Sequence, residues 1–242
     1  MNKKKLEKVI AKLEVYFNEK RDVKKTSKPS ILDLLIATKL SQNTTDKTSY
    51  RAFTNLKNSF SSWDDVAAAP LNQIKDSIKV CGLANTKATQ IKKMLNEMKE
   101  NYGSLDLAFL KKMKDEEVYD ELLQYDGLGV KTISCVLAFS LGRDVFPVDT
   151  HVHRVLNRLG LVTTNTAEKT FEAIKNEIPA GKKPSFHTNL IKFGRNICRA
   201  TTPLCSVCFL YSDCEFPEKE LFRDKEIPLN LTENNFIILE NI

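Results

Sequence analysis

The sequence has 242 residues, 42% hydrophobic and 28% charged, with 37 basic against 31 acidic side chains for a formal net charge of +6. That length suits one large domain or two modest ones, and the composition excludes low-complexity, collagen-like and broadly disordered chains. The most apolar stretch, Ile31 to Leu40, is interrupted by Asp33, Thr38 and Lys39, so no membrane span is expected.

Apolar residues recur at helical spacing along the chain, and strand-like alternation is nearly absent. Leu6, Val9, Ile10, Leu13 and Phe17 predict an amphipathic helix over 3–20. Ile31, Leu32, Leu34, Leu35, Ile36 and Leu40 leave little polar face and predict a helix buried nearly all round. Further helical segments are expected over about 44–59, 71–80, 86–101, 105–112, 115–124, 130–141, 150–159, 167–177 and 185–198. Asn85 or Thr86, Asp149 and Pro184 supply plausible helix starts. Past Phe222 the chain turns acidic and Asn-rich before ending near Phe236–Leu239.

The excess charge is uneven: residues 1–29 carry ten Lys/Arg against four Asp/Glu, and residues 215–242 carry three against seven. A basic chain fits nucleic-acid binding without requiring it. The Lys-rich N-terminus lacks the apolar core and small-residue cleavage site of a secretory signal. The six cysteines are therefore expected to be reduced thiols in the cytoplasm rather than a disulfide framework.

Three groups of residues carry chemistry. Leu123-Gln-Tyr-Asp-Gly-Leu-Gly-Val-Lys-Thr132 joins two amphipathic segments through a turn holding Gly127 and Gly129. Glycines there permit φ > 0 and close approach to the backbone, Leu128 can pack between the helices, and the amides of Gly129, Val130 and Lys131 suit a phosphate. An ordinary glycine-capped helical hairpin is the plainer reading. Lys131 falls in the first turn after the glycines and is expected to act as a nucleophile through its neutral amine. Asp149, in Val148-Asp-Thr-His151, is either a helix N-cap or a carboxylate that stabilises developing positive charge and moves protons. Cys198-x6-Cys205-x2-Cys208-x5-Cys214 offers four soft thiolates, suited to Zn²⁺ or an iron–sulfur cluster in a structural role. Only Cys205 and Cys208 have the short spacing of common zinc modules, which tilts the array toward a cluster.

In this order, these elements resemble the endonuclease III family of DNA repair glycosylases in the helix-hairpin-helix superfamily, over roughly residues 3–222. Leu40-Ser-Gln-Asn-Thr-Thr-Asp46, Gly82-Leu-Ala-Asn-Thr-Lys-Ala88, Phe193-Gly-Arg195 and the cysteine spacing complete the match. The resemblance implies an all-α fold of two helical lobes with a DNA cleft between them. A barrel domain is expected over 24–143, with the hairpin at about 115–141. Residues 1–23 and 144–222 are expected to form an iron–sulfur domain, leaving 223–242 as an extension without assigned role.

It further implies a bifunctional DNA N-glycosylase/AP lyase that flips out and excises damaged bases, oxidised pyrimidines above all, from double-stranded DNA. Lys131 matches the Schiff-base lysine, Asp149 the catalytic aspartate, and Cys198, Cys205, Cys208 and Cys214 the ligands of a [4Fe–4S] cluster, structural zinc being the alternative. Asn43 aligns with a glutamine that fills the space of the flipped base, Gln42 is its neighbouring alternative, and Leu83 aligns with a wedge. Gly127, Gly129, Val130 and His151 are the remaining expected DNA contacts, and a monomer is expected. A related glycosylase for mismatched thymine or adenine, and a non-catalytic DNA-binding module, are the rival readings.

Overall fold

A computed structural model describes residues 2–18 and 28–224. The described residues are helical, without a strand, and divide into two compact units. The expected boundary at 23/24, and all of the C-terminal extension from residue 225 on, lie outside the described residues. Among these residues no helix is long and apolar enough to cross a membrane.

The unit formed by residues 26–142 is built on α2 (Ile31–Ser41), whose start is fixed by Ser30 accepting the Asp33 amide at 3.0 Å. Its aliphatic side chains are buried on every face, each contributing about 1.5–3 kcal/mol relative to exposure. Around it lie α3 (Asp46–Ser59), α4 (Trp63–Ala68), α5 (Leu71–Ile78), α6 (Ala84–Tyr102), α7 (Asp115–Leu123) and α8 (Val130–Cys135). After α8 the chain widens into a π-helical turn, Val136–Ser140. Thr45 caps α3 and Ser62 caps α4.

Three local expectations change. The short α4 has too few turns to show a periodic stripe, although Ser62-x-x-Asp65 is a capping signal. Residues 105–112 form only a 3-10 turn, Ala108–Lys112, in which Leu110 is the sole buried side chain. Helix α6 begins at Ala84, so Asn85 and Thr86 lie in its first turn, and its N-cap is Leu83 in a left-handed conformation.

The other unit includes α1 (Lys3–Asn18), α9 (Thr150–Arg158), α10 (Ala167–Ile174) and α11 (Lys183–Asn196, with Pro184 in its first turn). Helix α1 buries Leu6, Val9, Ile10 and Leu13 and packs on α11, which also packs on α9. The lysines on the other side of α1 grip the cysteine segment. Lys8 and Lys12 each approach Asp213 to 2.6 Å, and Lys5 reaches Glu215. Asp213 is largely buried, which alone would raise its pKa, but the two ammonium groups hold it below the usual carboxylate value.

Candidate functional site

In the unit of residues 26–142, the three loops singled out by sequence each have a distinctive backbone. Helix α2 ends as Gln42 turns extended, and Asn43 follows at φ +54°. Leu83 sits at φ +49° after Gly82 at φ +68°, with 60% of its surface exposed. Asn43 and Leu83 are the two non-glycine residues of positive φ among the described residues. Such conformations carry strain that persists only where the surroundings over-determine them, often at functional positions. Asparagine tolerates the left-handed region better than most residues, which gives a physical reason for Asn at this turn.

The two hairpin glycines have different tasks. Gly127 adopts φ +78°, and a Cβ there would collide with the Lys39 ammonium. Gly129 is extended at φ −103°, so the expected need for positive φ does not apply to it. A Cβ on Gly129 would meet nothing within 4 Å. Leu128 packs inward at 4% exposure. Gly129 is the N-cap of α8 and makes no side-chain cap bond, while Val130 and the half-buried Lys131 form the first turn.

Lys39 and Lys87 were not singled out by sequence. Lys39 is fully buried and donates to the Asp126 carbonyl at 3.0 Å. Burial lowers its pKa, with the Asp126 carboxylate opposing. Lys87, also buried, donates to the carbonyls of Leu40 at 2.9 Å and Cys81 at 3.2 Å. A lysine inside the otherwise apolar end of α2 was the available signal for Lys39. Lys87 had none, because it falls in a lysine-rich helix.

In the other unit, Asp149 caps α9, its Oδ1 accepting the Val152 amide at 2.8 Å, and its carboxyl is half-buried. His151, two residues on, packs its Cβ against Gly194 of α11 and places Nδ1 3.2 Å from Arg154 Nη2. Burial lowers the His151 pKa, as do the guanidinium charges of Arg154 and Arg195, against the opposite pull of Asp149. His153 places Nδ1 2.7 Å from the Thr170 hydroxyl.

The four cysteines of the array line one cavity, together with Arg158, Phe193, Tyr211 and Lys219. Arg154 donates to the Cys198 carbonyl at 3.0 Å, and Arg158 donates to the carbonyls of Arg199 and Ala200 while its Nη1 lies 3.5 Å from Cys198 Sγ. Burial pushes the Cys208 thiol up to about 12, mutual repulsion of thiolates adding to it, and burial also raises Cys205 and Cys214. Cys205, Cys208 and Cys214 are thereby poor anions by themselves, whereas a cationic metal group would favour their thiolate forms. Among the described residues, no three His, Cys, Asp or Glu side chains are gathered as a ready-made single-ion site.

Residues 36–180 match the family model of the HhH-GPD superfamily base excision DNA repair protein. The chain belongs to that superfamily. As an HhH-GPD protein it is 40% identical, over 76% of its length and 60% of the relative's, to the putative DNA glycosylase At3g47830 of Arabidopsis thaliana. It is 36% identical to endonuclease III of Thermotoga maritima, over 76% of this chain and 82% of that one. Its fold matches a trapped endonuclease III–DNA covalent intermediate, an estranged-adenine complex, with a TM-score of 0.78 and 26% identity over 91% of this chain and 99% of that one. The HhH-GPD match includes the hairpin with Lys131 and the Asp149 cap.

Proposed function

We propose that this protein is a bifunctional DNA N-glycosylase/AP lyase, a monomer that excises damaged bases, oxidised pyrimidines foremost, from double-stranded DNA. The observation that carries the reading is the placement of Lys131 one residue inside a helix whose N-cap, Gly129, has no Cβ and makes no side-chain cap bond. Amides in such a turn hold a phosphate without reading sequence. The lysine amine is then held beside the sugar of the same nucleotide.

Extrusion of the nucleotide exposes C1′, while Asn43 or Gln42 occupies the vacated space and Leu83 wedges into the stack. The neutral Lys131 amine forms a bond to C1′ as the glycosidic bond breaks and its electron pair leaves with the base; the proton that the new C1′–N ammonium gives up passes by way of Asp149 to the departing base. Sugar-ring opening gives an iminium at Lys131. Loss of a C2′ proton then expels the 3′ phosphate oxygen and nicks the strand. The Asp149 carboxylate stabilises the positive charge that develops at C1′ and serves the proton transfers. The carboxyl is already oriented by the bond from the Val152 amide.

Cys198, Cys205, Cys208 and Cys214 would hold the [4Fe–4S] cluster. Their arrangement around a shared cavity, flanked by Arg158 and Lys219, supports a polynuclear group over a single zinc ion. Such a group supplies a cross-link that orders the segment and takes no part in base excision.

Product analysis on duplexes bearing thymine glycol, dihydrouracil, uracil, 8-oxoguanine or an abasic site tests the reading. Excision and nicking on the oxidised pyrimidines are expected. Excision confined to a mismatched base, or binding without products, would transfer the assignment to one of the rival readings.

A further inference from the structure

A buried ammonium is costly unless its protons find acceptors. In the unit of residues 26–142 the acceptors of two such groups are all main-chain carbonyls at the joints of loops. Leu40, in the last turn of α2, has a carbonyl with no further helix to bond it, and Lys87 Nζ supplies the missing donor at 2.9 Å. The same nitrogen reaches, at 3.2 Å, the carbonyl of Cys81, the last residue before Gly82 and Leu83. Lys39, adjacent to Leu40, reaches the Asp126 carbonyl, immediately before Gly127. One helix end is thereby tied to two other loops, and each tie lies within a few residues of Asn43, Leu83 or Gly129.

Of these ties, the Lys87 bridge joins the two segments that carry positive-φ, non-glycine residues. Since a strained turn persists only when its surroundings fix it, the joint at Leu40 and Cys81 is where that fixing must act. We infer that Lys87 is a positioning residue for base extrusion, holding the Asn43 and Leu83 turns in register so that filler and wedge enter the duplex together. Lys39 ties the same helix end to the phosphate-holding hairpin. This inference rests on the proposed base-excision reading and deepens it.

The test is Lys87→Met, which keeps the length of the stem and removes the donor. Base extrusion is read by 2-aminopurine fluorescence next to the lesion, and chemistry by two substrates, a lesion duplex and a ready-made abasic duplex. Because an abasic nucleotide has no base to unstack, the two activities should separate. Excision and the fluorescence rise should fall about tenfold or more, while abasic-site nicking stays within about threefold.

A folded Lys87→Met that extrudes and excises as wild type does, or that loses both activities equally, overturns the inference. Should that variant not fold, Gly82→Ala supplies the same test. A Cβ on Gly82 would meet nothing within 4 Å, so its strain at φ +68° acts on the joint alone. The same separation of activities is expected, and its absence is equally decisive. A wild-type protein that extrudes but does not excise defeats the functional reading alone, whereas an active wild type matched by the folded variant tested defeats this inference alone.

Discussion

Replacing the two hairpin glycines one at a time by alanine separates architecture from DNA contact. At Gly127, alanine must hold φ +78°, a left-handed conformation that costs an L-residue roughly 1–2 kcal/mol. Its Cβ would also collide with the fully buried Lys39 ammonium, whose bond to the Asp126 carbonyl would be stretched or lost. Loss of a charged buried hydrogen bond costs roughly 1.5–3 kcal/mol. The cost is therefore about 1–2 kcal/mol if the Lys39 end swings aside with its bond kept, and about 2.5–5 kcal/mol if that bond is lost, against the roughly 5–15 kcal/mol by which domains are stable.

At Gly129 the backbone is extended and the added methyl meets open space, so stability should change by less than about 0.5 kcal/mol. The methyl would instead stand where a phosphate approaches, and affinity for an abasic duplex should drop about tenfold. Urea unfolding followed by circular dichroism gives the first quantity, and a fluorescence-anisotropy titration the second. Gly127→Ala within about 0.5 kcal/mol of wild type would refute the reasoning. So would a Gly129→Ala as unstable as Gly127→Ala.

Other expectations concern the second unit. Asp149→Asn retains a good helix cap, so stability should shift by less than about 0.5 kcal/mol while excision falls roughly a hundredfold or more. An equal loss of duplex affinity would instead mark Asp149 as only a cap. His151 has a lowered pKa from burial and from Arg154 and Arg195, opposed by Asp149. Below about pH 6.5 the unfolded chain therefore takes up a proton that the folded chain resists, and stability declines as pH falls. His151→Gln should flatten the unfolding free energy between pH 7 and 5 by up to about one proton, and superimposable profiles would contradict this. Wild-type protein should carry about four irons per chain, and Cys208→Ser should lose most of them. Colourless wild type with a single zinc would contradict the cluster.

Much of the helical order was legible because α1, α2 and α9 carry long periodic patterns or a capping residue in plain view. Asp149 illustrates this: the acidic residue before Thr150 caps α9 as expected. What escaped sequence was set by tertiary contact. Gly129 was grouped with Gly127 by composition, yet only Gly127 lies over a buried ammonium and needs a positive φ. Leu83 was expected as an exposed wedge before a helix begun by Asn85 or Thr86, but it is itself the left-handed N-cap of α6. A pattern of residue types has no means of reporting that backbone state. Lys87 was invisible for a related reason: lysine is usually exposed, and its Leu40 acceptor is a carbonyl distant in sequence, whereas Lys39 left a signal only as the one lysine in an apolar helix end.

The central claim is that Lys131 forms an imine with the sugar. Incubation with a thymine-glycol or abasic duplex in the presence of borohydride should trap a covalent protein–DNA adduct in the wild-type chain and none in Lys131→Ala. Absence of an adduct in wild type, or an undiminished adduct in Lys131→Ala, would contradict it.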